Sequence, residues 1–276
     1  MPHMPRDQAA MLGRETVAIL RAGHYMSSRG VRVDVSASLG TAVRDTAEYP
    51  PDREVECNPA LGLSPRIAVE NDTVLRVGHR LTCDGPTAAL NFASPSHPGG
   101  GFLHGALAQE EGIARSSGLY ACLEDQPMYP YHRGRLDAMS SHYVVHSPQV
   151  PVFRTDEGDL LDEPWLMSII TSPAANAKAL ARYEPERLDD IPRVMSERAR
   201  KVLATAVHHG HRRLILGAWG CGAFGIQSVV MAGIFHDLLT TTFAGAFEAV
   251  VFAITDWSED QRFIGPFRKA FETEGA

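Results

Sequence analysis

The strongest constraint on the fold is a set of short, almost continuous apolar segments that alternate with segments of helical periodicity. The apolar segments cover residues 88–93, 165–171, 213–218 and 248–255, and the helical patterns cover residues 73–81, 106–123, 186–209 and 228–240. A strand without polar alternation has to be buried on both faces, which is typical of a parallel sheet between layers of helices. The sequence therefore predicts an α/β fold with a largely parallel sheet, in which ligands bind beyond the carboxyl ends of the strands.

The N-terminal part of the chain has a different pattern. A leading helix is predicted over residues 8–27, where apolar side chains recur at helical spacing. Residues 44–64 are rich in proline and charge and have no period, which is typical of a surface connection. We therefore expect a helical N-terminal extension, residues 1–62, that packs on a core formed by residues 63–276.

Composition limits the classes of function. The net charge is −7, from 26 Lys and Arg against 33 Asp and Glu, and no basic block offsets it, so broad binding to nucleic acid is not expected. Four cysteines without a C-x-x-C pair argue against a zinc ribbon or a disulfide framework. The start has no apolar leader and no apolar stretch approaches 18 residues, so we expect a cytoplasmic protein that does not bind membranes.

A first glycine-rich loop, Gly99-Gly100-Gly101, precedes Gln109-Glu110-Glu111 in the first turn of a predicted helix. Carboxylates at a helix N-terminus are favoured by the helix dipole, which is a purely structural interpretation of Glu110 and Glu111. The alternative is catalytic: one carboxyl group anchors a substrate while the other transfers a proton, and mutual repulsion with desolvation raises one pKa. Such a pair suits glycosidic cleavage, although neighbouring residues on one helix cannot flank a bond from both sides as in most glycosidases.

A second glycine-rich loop, residues 217–225, lies between a predicted strand and a predicted helix. Strand, glycine bend and helix N-terminus together form a site for a diphosphate, because free amides and the positive end of the dipole converge there. No Gly-Lys-Ser/Thr follows, so a nucleoside triphosphate loop is not supported, and the position in the chain disfavours a dinucleotide fingerprint. Phe224, which lies among the glycines, is expected to be exposed for stacking on a base or a ribose.

The three glycines, a seven-residue spacer and Gln-Glu-Glu resemble the signature of the poly(ADP-ribose) glycohydrolases, in their compact bacterial and fungal form. The resemblance runs from about residue 63 to 271. It implies a macrodomain-like, three-layer α/β/α catalytic domain with a mixed sheet and a cleft for ADP-ribose at the strand ends.

The resemblance also implies roles for individual residues. Glu111 would be the catalytic acid and base, and Glu110 would hydrogen-bond the hydroxyls of the ribose that is released. The other expected substrate-binding residues are Asn91, Gln109 and Gly99, Gly100 and Gly101 around that ribose, and Gly220, Cys221, Gly222, Ala223, Phe224 and Gly225 around the diphosphate and adenosine.

The expected activity is hydrolysis of ribose–ribose O-glycosidic bonds in poly(ADP-ribose), with release of ADP-ribose. The negative net charge favours attack from the chain end, since little positive potential is available to hold an extended polyanion. The expected partners are poly(ADP-ribose), ADP-ribose and ADP-ribosylated proteins, without a cofactor. Two alternatives remain open at this point: a macrodomain that binds ADP-ribose without cleaving it, and a hydrolase of another ADP-ribosyl linkage.

Other residues with reactive or aromatic side chains have simpler interpretations. His208, His209 and His211 are expected to end a helix rather than to bind a metal. Trp165 and Trp257 are expected to pack in the core or at its edge. Residues 129–133 form an aromatic and polar insertion that could border the adenine pocket, but such loops usually lie at the surface.

Overall fold

The computed structural model describes residues 4–59 and 62–271. The helices among these residues are α1 (Arg6–Ala22), α2 (Ser36–Arg44), α3 (Val74–Thr82), α4 (Gln109–Ser116), α5 (Leu119–Leu123), α6 (Met128–Arg133), α7 (Ala177–Tyr183), α8 (Ile191–His208), α9 (Ser228–Thr240) and α10 (Gly265–Phe271). The strands are β1 (His24–Met26), β2 (Arg32–Asp34), β3 (Ala47–Tyr49), β4 (Arg66–Glu70), β5 (Thr87–Ala93), β6 (Val144–Arg154), β7 (Leu160–Pro173), β8 (Arg213–Leu216) and β9 (Ala249–Ala253).

Seven strands form one mixed sheet in the order β3-β6-β7-β5-β8-β9-β4. Strands β7, β5, β8, β9 and β4 are parallel, whereas β6 is antiparallel to both of its neighbours. The predicted α/β class with a mixed, largely parallel sheet is confirmed. The remaining two strands, β1 and β2, form a separate hairpin.

Alternate residues of the central strands enter two different hydrophobic cores. Ala88 and Leu90 of β5 pack with α8 and α9 on one face, while Ala89 and Ala93 pack with α3 and α5 on the other. Successive side chains of a strand point to opposite faces, so a strand covered on both sides is apolar at nearly every position. This explains the continuous apolar runs, and it directs Asn91 to the face on which α4 lies.

Two predicted helices are in fact interrupted. The helix predicted over 106–123 is divided into α4 and α5, because Ser117 is extended and bridges to Val152 of β6. The helix predicted over 186–209 begins with a 3₁₀ turn, Pro185–Asp190, and Pro192 then stands in the first turn of α8. In both cases the helical spacing of apolar residues continues across the interruption, so the spacing alone does not predict the change of backbone conformation.

The N-terminal prediction needs adjustment in detail. The leading helix ends at Ala22 rather than at residue 27, because Gly23 adopts a left-handed conformation, φ 72°, and starts the turn into β1. The segment 44–64 is not only a connection, since it contains β3, which pairs with β6 at the sheet edge. The boundary at residue 62 remains a prediction; it adjoins residues 60 and 61, which lie outside the described residues.

The long hairpin of β6 and β7 had no counterpart in the predicted elements, apart from residues 165–171. Polar residues and Pro148 interrupt the apolar pattern of β6, and a shift of register accommodates them between Ser147 and Val150. Of the helices that the structure describes, none is long and apolar enough to cross a membrane.

Candidate active site

A cleft of about 910 Å³ opens at the carboxyl ends of β5, β8 and β9. Its walls are formed by both glycine-rich loops, by the first turn of α4 and by the residues that follow β9. Because the strands are parallel, these loops, which are far apart in the sequence, meet at one edge of the sheet. The cleft therefore combines the two features from which the sequence analysis derived a ligand site.

Gln109 fixes the start of α4 to the central strand. Its Oε1 accepts a hydrogen bond from the Phe92 amide at 2.9 Å, and its Nε2 donates to the Leu90 carbonyl at 2.7 Å. The side-chain amide thus pairs with the backbone of β5 as a neighbouring strand would. Although Gln109 lines the cleft, both Oε1 and Nε2 of its side chain are hydrogen-bonded to β5, so its role in this structure is to hold α4 on the sheet.

Glu110 is 4% exposed and lies against the end of β5. Its Oε2 accepts a hydrogen bond from the Ser94 amide at 2.7 Å, and its Oε1 lies 3.5 Å from Nδ2 of Asn91. Burial raises the pKa of Glu110 well above its usual range; the Ser94 amide lowers this pKa, and the nearby Glu111 raises it. The raised pKa expected for one of the two carboxyl groups thus falls on Glu110, the group expected to bind the ribose.

Glu111 is also buried, at 8% exposure, but it is bonded at one oxygen only. Its Oε1 accepts a hydrogen bond from the Gly101 amide at 2.9 Å. Its Oε2 is buried and has no hydrogen-bond partner among the described residues. Glu111 is among the residues that line the cleft, so this unpartnered oxygen belongs to a residue of the cleft wall.

The glycine loop lies directly over both carboxyl groups. Gly99 and Gly100 have φ values of 69° and 59°, in the left-handed region that favours glycine. A Cβ atom on Gly100 would collide with Oε1 of Glu111 and would lie 2.9 Å from Oε2 of Glu110. The two carboxyl groups therefore converge beneath Gly100, although their side chains leave the helix in different directions.

Asn91 supports Glu110 from behind. It is fully buried in β5, and its Nδ2 also lies 3.3 Å from Oγ1 of Thr171 on β7. Its Oδ1 has no partner among the described residues. Asn91 is not among the residues that line the cleft, so its contact with the site runs through Glu110.

The second glycine loop closes on itself beyond β8. The Ile226 amide donates to the Gly220 carbonyl at 3.0 Å, and Gly220 and Gly225 have φ values of 76° and 78°. Gly220, Gly222, Ala223 and Phe224 line the cleft, as predicted from the sequence. The N-terminus of α9 follows at Ser228.

Three expectations for this loop differ from the structure. Cys221 is buried outside the cleft lining, and burial raises the pKa of its thiol to about 12. Gly225 does not line the cleft either; its backbone lies against the side chain of Lys178. Phe224 is half-buried rather than exposed, because one side packs against the core.

Sequence reasoning missed residues in the site and beside it; Lys178 contacts the second glycine loop but is not among the residues that line the cleft. Lys178 donates its backbone N–H to the Phe224 carbonyl at 3.0 Å, and its Nζ lies 3.4 Å from the Gly222 carbonyl. Arg115, one helical turn after Glu111, lines the cleft. The position of Lys178 just beyond the carboxyl end of β7 was the one available signal, and the helical spacing of Arg115 from Glu111 was the other.

The aromatic residues outside the two loops were only partly anticipated. Trp257 is 70% exposed and lines the cleft, so the expectation that it packs in the core or at its edge was wrong. Trp165 does pack at the edge of the α3 core, with its ring centroid 5.5 Å from that of His79. Residues 129–133 belong to α6 rather than to a surface loop, and Tyr129 and His132 are buried away from the cleft lining.

The histidines that end α8 form part of a cluster before the amino end of β8, and they are not among the residues that line the cleft. Nε2 of His211 lies 2.8 Å from Nε2 of His146, and Nε2 of His209 lies 2.8 Å from the hydroxyl of Tyr49. Among the described residues, no group of three or more His, Cys, Asp or Glu side chains is arranged to hold a metal ion. The histidine contacts are therefore contacts between side chains of the core.

Comparison with known families gives a decisive match. The model of the microbial-type PARG catalytic domain matches residues 13–155, which include both carboxyl groups and the first glycine loop. The chain belongs to this family. The resemblance predicted from the glycine and Gln-Glu-Glu signature is thus confirmed for this microbial-type PARG domain.

Solved structures of this family are similar over nearly the whole chain. The poly(ADP-ribose) glycohydrolase (PARG) of Thermomonospora curvata is 42% identical, with 96% of this chain and 100% of that chain covered and a TM-score of 0.90. The same enzyme bound to the inhibitor ADP-HPD is 44% identical over the same shares, with a TM-score of 0.89. The PARG of Deinococcus radiodurans in complex with ADP-ribose is 39% identical, with 85% and 97% covered and a TM-score of 0.81. A search of curated proteins gave no match.

Proposed function

We propose that this microbial-type PARG hydrolyses ribose–ribose O-glycosidic bonds of poly(ADP-ribose) and releases ADP-ribose. The observation that carries the proposal is the pair of buried carboxyl groups in the cleft wall, in which Oε2 of Glu111 has no hydrogen-bond partner among the described residues. The related enzymes of known structure were solved with ADP-ribose or with ADP-HPD, which supports the assignment of the ligand. A protein that only bound ADP-ribose would have no need of a proton donor at that position.

Glu111 would act as acid and then as base. In the first step its carboxyl group donates a proton to the departing ribose hydroxyl oxygen while the bond from the anomeric carbon to that oxygen breaks. In the second step a water molecule adds to the cation-like anomeric carbon, and its proton passes to the Glu111 carboxylate. The Gly101 amide holds Oε1 throughout, so that Oε2 carries the proton in both directions.

Glu110 would bind and orient the sugar rather than transfer the proton. Its raised pKa favours the neutral form, which can donate a hydrogen bond to a ribose hydroxyl. The contacts from Ser94 and Asn91 fix its orientation. Because both carboxyl groups leave the same helix, the chemistry takes place on one side of the bond, unlike that of a glycosidase with opposed carboxylates.

The second loop would hold the diphosphate. Gly220, Gly222 and Ala223 line the cleft without long side chains, and the loop leads into the N-terminus of α9, whose positive dipole end would favour the diphosphate. Phe224 and the exposed ring of Trp257 offer flat apolar surfaces for the adenosine end of the ligand. ADP-ribosylated proteins are then the partners from which the polymer is removed.

The test is digestion of purified poly(ADP-ribose) with chromatography of the products, for the unchanged protein and for Glu111→Gln. We expect ADP-ribose from the unchanged protein and a rate lower by about 10² to 10⁴ for Glu111→Gln. Calorimetry with ADP-ribose should give similar affinities for both proteins, since Glu111→Gln keeps the shape of the site. Binding without turnover in either protein would favour a non-catalytic ADP-ribose-binding module, and equal rates would remove Glu111 from its role.

We further propose that hydrolysis proceeds from the chain end, because a net charge of −7 provides little attraction for the middle of a polyanion. A polymer of defined length should then release ADP-ribose from the earliest times. Early release of long oligomers would contradict this order of cleavage. We also propose a cytoplasmic location, which is supported by four cysteines that are all unpaired, and which cell fractionation would test.

A further inference from the structure

Helix α1 touches the backbone of the catalytic glycine loop directly. A Cβ atom on Gly13 of α1 would lie 2.7 Å from the carbonyl oxygen of Phe102, in the 3₁₀ turn that follows Gly101. At the other end of this turn, a Cβ atom on Gly105 would collide with the backbone carbonyl of Arg6. The helix and the loop therefore meet backbone to backbone at two points, each of which is occupied by glycine.

The same helix also bonds the last turn of α4. Thr16 is fully buried, and its Oγ1 donates to the Arg115 carbonyl at 2.5 Å. Nε of the buried Arg154 donates to the same carbonyl at 3.2 Å, and Nη2 of Arg154 bonds Glu15 of α1 at 2.9 Å. Carbonyls in the last turn of a helix lack partners within the helix, so these bonds determine where the C-terminal end of α4 lies.

These contacts involve α4 and the glycine loop, the two segments whose relative position determines the geometry around the catalytic carboxyl group. Glu111 is carried by α4, whereas the Gly101 amide, 2.9 Å from its Oε1, is carried by the loop. Gln109 fixes the N-terminal end of α4 to β5, and Thr16 with Arg154 fixes its other end. Helix α1 is the element that contacts both α4 and the loop from outside.

We propose that Gly13 and Thr16 are positioning residues of the active site, through which α1 sets the distance between the glycine loop and Glu111. The role assigned to Glu111 rests on the proposed function. Displacement of a catalytic group by about 1 Å can lower a rate by about 10²-fold, so an effect on turnover is measurable even where the fold is kept. The N-terminal helix is, in this view, a part of the catalytic unit.

The first test compares Gly13→Ala with Gly40→Ala. Both glycines lie inside helices, but a Cβ atom on Gly40 would meet none of the described residues within 4 Å, so this variant controls for the change in helix propensity. We expect Gly13→Ala to lower kcat for polymer hydrolysis by about 10-fold or more, and Gly40→Ala to leave it unchanged. The affinity for ADP-ribose should stay within about three-fold in both, because the contacts of α1 described above are with the turn after Gly101 and with α4, not with the diphosphate loop.

The second test compares Thr16→Val with Thr16→Ser. Valine has the shape of threonine without the hydroxyl, and serine keeps the hydroxyl. We expect Thr16→Val to lower kcat by about five-fold at unchanged affinity for ADP-ribose. We expect Thr16→Ser to keep the kcat of the unchanged protein. This pair decides the question if Gly13→Ala does not fold.

A third measurement does not depend on turnover. Exchange of the Gly101 amide hydrogen should be faster in Gly13→Ala and in Thr16→Val than in the unchanged protein and in Gly40→Ala. Unchanged kcat and unchanged exchange in folded Gly13→Ala and Thr16→Val would overturn the inference. An unchanged protein that fails to hydrolyse the polymer would instead overturn the proposed function, and the exchange result would still decide the role of α1.

Discussion

Gly100 is the residue on which the geometry of the carboxyl pair depends most directly. Its φ of 59° is costly for a residue with a Cβ atom, and the place of that atom is taken by Glu110 and Glu111. A side chain here would meet the carboxyl groups themselves rather than a flexible surface. The glycine is thus required twice, for its conformation and for the space above the catalytic groups.

We expect Gly100→Ala to lower the rate of polymer hydrolysis by about 10² or more, since the carboxyl groups have to move away from the new methyl group. Gly30→Ala is the matched control, because Gly30 has a φ of 80° and a Cβ atom placed on it would have no described atom within 4 Å. Both variants should lose about 1 kcal/mol of unfolding free energy from the left-handed backbone. Similar activity in the two variants would show that contact with the carboxyl groups is unimportant.

Lys178 places a positive charge beside the proposed diphosphate loop, with Nζ 3.4 Å from the Gly222 carbonyl. An exposed charge contributes about 0.2–1 kcal/mol, so Lys178→Met should weaken ADP-ribose binding by about two- to five-fold, and less at high salt. Lys269→Met, on α10, is the control and should bind as the unchanged protein does. Titration calorimetry at two salt concentrations measures both effects, and equal affinity for the two variants would count against a contribution from Lys178.

At the scale of elements, the connection between β9 and α10 is organised by one carboxylate. Asp256 accepts hydrogen bonds from the amides of Phe263 at 2.7 Å and Ile264 at 3.0 Å, and from the amide and hydroxyl of Ser258. These bonds lower the pKa of Asp256 to about 2, and burial acts against them. Because Trp257 and Phe263 line the cleft, this carboxylate also shapes the wall of the binding site.

We expect Asp256→Asn to lower the free energy of unfolding by about 2 kcal/mol at pH 7, since each pKa unit corresponds to about 1.4 kcal/mol. The folded pKa lies below the unfolded value of 3.8, so the stabilisation is present above pH 3.8 and is lost as the pH falls toward 2. The difference between variant and unchanged protein should accordingly shrink in that range. Denaturant unfolding measures it, with Asp260→Asn, an exposed residue of the same connection, as the control. An equal loss in both variants would contradict the assignment.

At the scale of the whole molecule, stability should depend on a histidine cluster at the junction of α8, β6 and the sheet edge. Burial and the neighbouring imidazoles lower the pKa of His146 to about 2, and those of His209 and His211 to about 4. In the unfolded chain these side chains take up protons near pH 6.5, whereas in the folded protein they stay neutral. The unfolded state therefore binds more protons below pH 6.5, and acid favours unfolding.

We expect the free energy of unfolding to fall as the pH is lowered from 6.5 through 4. The raised pKa values of Glu110 and Asp156 act in the opposite sense, because the neutral folded form of each carboxyl group is favoured below its folded pKa, but the three histidines outnumber them. Urea unfolding at pH 7.5, 6 and 5 measures the slope, which should be shallower in His146→Gln. A free energy that is constant between pH 7.5 and 5 would mean that the cluster is not buried as described.

The sequence by itself determined the fold class and the two loops of the site. Uninterrupted apolar strands have to be covered on both faces, and parallel strands bring the loops that follow them to one edge. The approach of the two glycine-rich loops to one cleft, through Gly100 and Gly101 and through Gly220 and Gly222–Phe224, could therefore be predicted without coordinates. The carboxyl pair could be predicted as well, since its place in the first turn of a helix is a local property.

Only the tertiary structure decided what each side chain touches. In the folded chain Gln109 is hydrogen-bonded to β5, and Glu110 and Glu111 converge beneath Gly100. Trp257 is exposed in the cleft, and Gly13 packs against Phe102. Each of these facts depends on the distance between segments that are remote along the chain or on the exact direction of a short turn. Periodicity and motif spacing record what is local, and packing between distant segments fixes the rest.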